Sequence, residues 1–189
     1  MRIEIISGSP REVSVTYRLA LHLKRALQKN TDHEVDVIDV RNNLLPQLDQ
    51  VFVSVDATPD EYKDLANRMF AADAYILITP EYNGSYSACL KNLLDHFPKQ
   101  HHKVFGIVTA SPGDLGGVRA ALQLQQLIYA LFGIGSPYML MVPQIDKKFD
   151  EAGNLLDDSF KKSVDLFIKE FLWLSERIVV SEVGAKNVQ

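Results

Sequence analysis

Short apolar runs alternate with amphipathic stretches along almost the whole chain, and this alternation constrains the fold more than any other feature. Residues 3–6, 34–40, 74–78, 104–109 and 138–142 read as strands. The run Ala74-Tyr75-Ile76-Leu77-Ile78 is apolar throughout, as a strand buried on both faces must be, whereas 34–40 alternates like a strand nearer an edge. Residues 16–29 place Leu19, Leu23 and Leu27 in line at helical spacing. A second helix is predicted to start at Thr58, with Thr58 as N-cap, Pro59 in the first turn and Glu61 three residues past the cap. It would present Tyr62, Leu65, Ala66 and Met69 to the core. Helices over 87–97, 117–132 and 158–175 follow, the last with the stripe Phe160, Val164, Phe167, Ile168 and Phe171. Strands and helices in such alternation predict an α/β fold: one doubly wound, five-stranded parallel sheet in the order 2-1-3-4-5, with helices on both faces. Residues 1–180 form one domain in this reading. Residues 42–57 are irregular, 146–157 a polar connection, and 181–189 a loose polar C-terminal tail.

The net charge of −4 leaves no basic footprint of the kind that nucleic-acid partners require. A single cysteine, Cys89, permits no internal disulfide and favours a reducing, cytoplasmic location. The first residues enter a strand pattern directly, without a signal-peptide pattern. No charge falls between Arg119 and Asp146, a length that could span a bilayer. Gln123, Gln125 and Gln126 crowd one end of that stretch, and Gly133, Gly135, Pro137 and Pro143 break the other. A buried helix followed by a buried strand explains it better than a membrane span.

Three loops carry the chemistry. After the first strand comes Ser7-Gly8-Ser9-Pro10-Arg11-Glu12-Val13-Ser14-Val15-Thr16, leading into a helix. Its hydroxyls, the helix N-terminus and Arg11 together suit an anion, with helix capping by Ser9 and Ser14 as the plainer alternative. Neither Gly-x-x-x-x-Gly-Lys-Ser/Thr nor Gly-x-Gly-x-x-Gly is present, which argues against a nucleotide triphosphatase and a dinucleotide site. Hydroxyls in place of a glycine fan suggest one phosphate monoester. After the third strand comes Thr79-Pro80-Glu81-Tyr82-Asn83-Gly84-Ser85, combining an aromatic ring, a carboxylate, an amide and a glycine. After the fourth comes Ala110-Ser111-Pro112-Gly113-Asp114-Leu115-Gly116-Gly117, whose glycines let the backbone curve closely round a ligand. In a 2-1-3-4-5 sheet all three loops share the carboxyl edge around the switch point. A phosphate at the first and a flat heterocycle between the others describe a mononucleotide, and riboflavin phosphate fits that spacing.

On these motifs the chain resembles the NAD(P)H-dependent FMN reductase family, the flavodoxin-like group that includes bacterial quinone, azo-dye and chromate reductases. The motifs are Gly8-Ser9-x-Arg11-x-x-Ser14-x-Thr16, then Pro80-Glu81-Tyr82-Asn83-Gly84-Ser85 with Leu90-Lys91-Asn92, then Ser111-x-Gly113-x-x-Gly116-Gly117-x-Arg119. The resemblance covers roughly residues 2–174. It implies FMN as cofactor, NADPH or NADH as electron donor, and ping-pong transfer to a quinone, flavin or similar small acceptor. It implies that Ser9, Arg11, Ser14 and Thr16 hold the FMN phosphate. Pro80, Glu81, Tyr82, Asn83 and Gly84 would line the ring and ribityl chain, and Ser111, Gly113, Gly116 and Gly117 the other flank. A homodimer or homotetramer is implied as well, through helices 87–97 and 117–132, with Leu124, Leu127 and Leu131 as a second apolar stripe. Family members usually carry Asn where Thr16 stands and often Leu where Pro10 stands. Many have Ile-Pro-Gly where this chain has Tyr86-Ser87-Ala88.

The flavin would perform the redox step, so no obligatory catalytic acid or base is expected, and Glu81 reads as a carboxylate ordering its loop or as a proton donor. Two other readings remain open on the residues: a flavodoxin-like FMN electron carrier, and a flavin-fold interaction module without catalysis. Cys89 reads as a small buried hydrophobe, although the first turn of a helix also suits a thiolate. His22 and His33 read as surface residues, His96 as a cation at a helix end, and His101 and His102 as a solvated turn. None has metal-ligand spacing.

Overall fold

The computed structural model describes the backbone of residues 1–186 and side chains through Val179. The strands are β1 (Arg2–Ser7), β2 (Glu34–Asp39), β3 (Ala74–Pro80), β4 (Val104–Ala110), β5 (Ile134–Gly135) and β6 (Leu140–Val142). The helices are α1 (Val15–Asn30), α2 (Lys63–Ala71), α3 (Ala88–Asp95), α4 (Val118–Ala130) and α5 (Lys161–Lys186). All pairings are parallel, in the order β2-β1-β3-β4-β5, and β6 also pairs with β4. The sheet order read from the sequence therefore holds.

Side chains alternate across the sheet as the strand period demands. Ile3, Ile5, Ala74, Ile76, Ile78, Val104 and Val108 face one core with α1 and α5. Ile6, Tyr75, Leu77, Phe105 and Ile107 face the other with α2, α3 and α4. The α5 side packs closely against β4. A Cβ on Gly106 would lie 2.8 Å from Phe167 Cζ and 3.1 Å from Phe171 Cδ2, so the missing side chain lets two buried rings seat on β4.

The structure corrects several expectations. The last predicted strand, 138–142, is shortened to β6, and a two-residue strand that was not expected, β5, precedes it; both pair with β4, and residues 136–139 loop out between them opposite Gly106 and Ile107. Pro137 lies in that interval and has no N–H to give to the ladder. Thr58 does not cap a helix, because its hydroxyl donates to Ser54 O at 2.7 Å and closes the preceding turn. A 3₁₀ turn (Asp60–Tyr62) follows, and α2 begins only at Lys63. The last helix does not stop at Ser175. That hydroxyl is buried and donates back to Phe171 O, so the helix continues to Lys186 through residues expected as tail. Residues 187–189 lie outside the described residues.

The histidines also separate from their expected roles. His96 is fully buried at the end of α3, with Nδ1 2.8 Å from Asn92 O and its ring against Phe52. His22 is half-buried, bonded to Gly153 O at 3.1 Å, and burial holds its imidazole below the ordinary value. His33 pairs with Glu176. His101 and His102 form the expected turn before β4, and the His101 ring stacks on Phe132.

Gly106→Ala should cost about 1–3 kcal/mol, because Phe167 and Phe171 must shift from a close-packed site. Urea unfolding should show a lower midpoint at unchanged slope; an unchanged midpoint would mean that α5 seats loosely.

Candidate functional site

The register brings the three loops to one edge. Ser7 lies beside Ile78, Thr79 beside Thr109 and Pro80 beside Ala110, so β1, β3 and β4 end together. Thr79 and Thr109 are fully buried and serve the loops rather than the ladder. The Thr109 hydroxyl donates to Gly116 O at 2.8 Å, and Thr79 Oγ1 accepts from Ser87 N at 3.0 Å. The Ser87 hydroxyl donates to Gly8 O and accepts from Leu90 N at 3.1 Å, fixing the start of α3 against the first loop. Gly8 has no room for a side chain: a Cβ would lie 2.9 Å from Ile78 O and 3.0 Å from Leu90 Cβ.

In the first loop Ser9, Ser14 and Thr16 are buried. Ser14 caps α1, accepting from Tyr17 N at 3.2 Å, and its hydroxyl meets that of Thr16 at 2.9 Å. Capping leaves further lone pairs and protons on these hydroxyls. The Arg11 guanidinium lies over the Tyr82 ring at 5.0 Å, and no carboxylate pairs with it among the described residues. Behind the loop, Arg41 reaches Glu12 O at 2.7 Å while held by the buried Asp39 carboxylate. That carboxylate raises the Arg41 guanidinium above its ordinary value.

The second loop is a tight hairpin. Tyr82 N donates to Ser85 O at 2.8 Å and Ser85 N to Tyr82 O at 3.1 Å. Asn83 and Gly84 between them have φ of 51° and 81°, the left-handed pair that an Asn-Gly hairpin turn requires. Glu81 reaches away from this turn. Its Oε2 accepts from Arg119 N at 3.0 Å and Ala120 N at 3.3 Å, where α4 has no cap of its own. Oε1 stands 3.5 Å from the Arg119 guanidinium. The carboxylate thus complements the positive end of α4 and binds two of its unpaired N–H groups. Ser85 adds a bond to Gln123 Oε1 at 2.8 Å.

The third loop turns through Gly116 and Gly117 at φ of 60° and 83°. Ser111 N donates to Val142 O, Ile145 N to Ser111 O and Gln144 N to Gly113 O, which ties the loop to the chain leaving β6.

These loops enclose one cavity of about 460 Å³, inside the range of small-molecule sites. Ser9, Arg11, Thr16, Pro80, Glu81, Tyr82 and Ser111 line it. Ser14 stands behind at the helix cap, and Asn83, Gly84, Gly113, Gly116 and Gly117 shape the turns without lining the cavity. Sequence reasoning missed Val13, Val15, Ile145 and Asp146 in the wall, and Thr79, Ser87, Thr109 and Arg41 behind it. The residues fit riboflavin phosphate: buried hydroxyls, an unpaired guanidinium and a helix N-terminus form the anion end. The Tyr82 side chain, whose buried hydroxyl has no partner among the described residues, suits a flat, polar-edged ring.

A second groove, of about 430 Å³, runs between α3 and residues 43–47. Cys89 lines it and is partly exposed, so it is not the buried hydrophobe expected. Among the described residues no group of three or more His, Cys, Asp or Glu is placed to hold a metal ion. Nor is any helix there long and apolar enough to cross a membrane.

A parallel 2-1-3-4-5 sheet whose loops after β1, β3 and β4 meet at the carboxyl edge defines the flavodoxin-like class. Residues 1–146 match the NADPH-dependent FMN reductase family. An FMN-dependent NADPH-azoreductase of Staphylococcus aureus is 33% identical over 177 residues, covering 89% of this chain and 92% of its own. Among solved structures, a flavoenzyme NAD(P)H:(acceptor) oxidoreductase from Paracoccus denitrificans superposes with a TM-score of 0.77 at 21% identity, over 93% and 97% of the two chains. A flavodoxin mutant from Pseudomonas aeruginosa gives 0.56 at 19% identity, over 90% and 99%, which speaks for the fold alone. The chain belongs to the NADPH-dependent FMN reductase family, and it is an FMN-dependent NAD(P)H oxidoreductase.

Glu81→Ala should lower stability by about 1–2 kcal/mol, since α4 loses its only side-chain cap and the facing charge. Glu81→Gln, which keeps an acceptor, should fall between it and the parent. Denaturant titration of the three proteins checks this, and equal stability of all three would refute the capping role.

Proposed function

We propose that FMN lies with its phosphate in the first loop and its ring between the second and third, and that one cavity serves donor and acceptor in turn. Ser9, Arg11, Ser14 and Thr16 hold the phosphate. Pro80, Glu81, Tyr82, Asn83 and Gly84 border the ring and ribityl chain on one side, and Ser111, Gly113, Gly116 and Gly117 on the other. The observation that carries the reading is the convergence of all three motifs on a single cavity. Bound FMN supplies two-electron transfer between a nicotinamide and a small acceptor. The protein's part is placement. Arg11 and the α1 N-terminus balance the phosphate charge, Tyr82 and Pro80 keep water from the ring, and the hairpin turn offers backbone donors at its edge. Glu81 is engaged by α4, so protons for the reduced acceptor come from solvent. The acceptor class is a small planar molecule, such as a quinone, a flavin or an azo compound. A single open cavity implies alternation of donor and acceptor, hence ping-pong kinetics. With one cysteine and a net charge of −4, a reducing cytoplasmic setting without nucleic-acid or membrane partners fits the molecule.

The functional unit in this reading is a homodimer. Leu124, Leu127 and Leu131 are buried in the monomer core, so they do not form the second stripe expected. The exposed apolar residues of this region are instead Leu122, Tyr129 and Phe132, on and just beyond α4, and they supply a self-complementary contact. Light scattering at micromolar concentration should return the mass of two chains; a clean monomer would contradict it.

Purified protein loaded with FMN should show flavin absorption that bleaches on anaerobic addition of NADPH, and should consume NADPH steadily with menadione. Protein that takes up no FMN would refute the site, and bleaching without turnover would refute the acceptor assignment.

A further inference from the structure

Arg41 lies outside the three motifs and does not line the cavity. It follows β2, where Asp39 is buried with 5% of its surface exposed. Arg41 Nε lies 3.0 Å and 2.9 Å from the two Asp39 carboxylate oxygens, and Arg41 N donates to Oδ1 at 3.0 Å. The guanidinium also sits 4.7 Å from the Tyr17 ring centre, on the first turns of α1. A fork held by a buried carboxylate on one side and an aromatic face on the other has little rotational freedom left. Nη2 also donates to Asp39 Oδ2 at 2.5 Å, and Nη1 donates to Glu12 O at 2.7 Å.

That last bond acts on the loop. A trans peptide is planar, so the Glu12 carbonyl and the Val13 N–H of the same unit point in opposite directions. With the carbonyl drawn back to Arg41, the N–H is turned forward. Val13 lines the cavity beside Ser9, Arg11 and Thr16, and its N–H bonds to no protein group among the described residues. The geometry points to Arg41 as a positioning residue: by clamping Glu12 O it aims the Val13 N–H at the anion site, and so sets the preference for a phosphorylated flavin over riboflavin. The inference rests on the reading of the first loop as the phosphate site. Arg41 itself touches no ligand.

The fork is what matters, not only the charge. Lysine keeps the charge and can still neutralise Asp39, but it cannot hold a carboxylate bidentately and reach Glu12 O at once. Arg41→Lys is therefore the informative variant, and it avoids leaving Asp39 buried without a partner, which in Arg41→Ala would endanger folding.

The test titrates flavin-free full-length protein with FMN and with riboflavin, reading flavin fluorescence, for the parent and Arg41→Lys, with thermal unfolding of each as the fold control. The parent should prefer FMN. In Arg41→Lys the FMN dissociation constant should rise about tenfold, as for one lost bond to a charged group, while that of riboflavin stays within about twofold. An unchanged preference in Arg41→Lys overturns the clamp alone, because charge without the fork then suffices. An equal loss for both flavins also overturns it, since that is the signature of a general structural defect. A parent without preference for FMN over riboflavin overturns the phosphate reading of the loop, and the clamp falls with it.

Discussion

Where β3 and β4 end, the chain must satisfy backbone groups that no further strand can pair, and it must do so at an edge that stays open. The buried hydroxyls of Thr79 and Thr109, side by side in register, take on that work. One holds the start of α3 through Ser87 N and the other holds Gly116 O. Each loop is thereby anchored at its root, and its tip remains free to face a ligand. Were these positions apolar, the two loops would need other partners for the same groups, and the cavity between them would lose its fixed walls.

From those anchors the site is cross-braced rather than built loop by loop. Glu81 leaves the second loop to cap the helix that follows the third, so α4 borrows its N-cap from β3's connection. Ser87 ties the second loop's helix to the first loop through Gly8 O. Arg11 crosses from the first loop to the Tyr82 ring of the second. The Glu81 carboxylate thus serves electrostatics at a helix end, which agrees with a reaction whose chemistry belongs to the cofactor.

Much of this was legible in the sequence, for identifiable reasons. Strand and helix periods differ, so the alternation and the sheet order could be read directly, and the three loops announced themselves by Gly, Pro and hydroxyl content between those periods. What stayed hidden depends on distance in space. Arg41 meets Glu12 only because β2 lies beside β1, and nothing in the local pattern around residue 41 marks that contact. His96 read as a cation at a helix end, yet it is buried and Phe52 from an irregular stretch packs against it. The stripe Leu124, Leu127 and Leu131 looked available for a partner, yet it fills the core under α4, while Tyr129 and Phe132 stay exposed. Residues 138–142 read as the last strand, but only Leu140–Val142 pair, and the two-residue strand Ile134–Gly135 ahead of Pro137 went unseen.

The account stands or falls on where the flavin sits, and a crystal structure of the protein soaked with FMN tests that most directly. It should show phosphate density among Ser9, Arg11, Ser14 and Thr16, with the ring between the 80–84 and 111–117 loops. Flavin density in the groove between α3 and residues 43–47, or a ring reversed so that the phosphate lies against the Asn83–Gly84 turn, would contradict it.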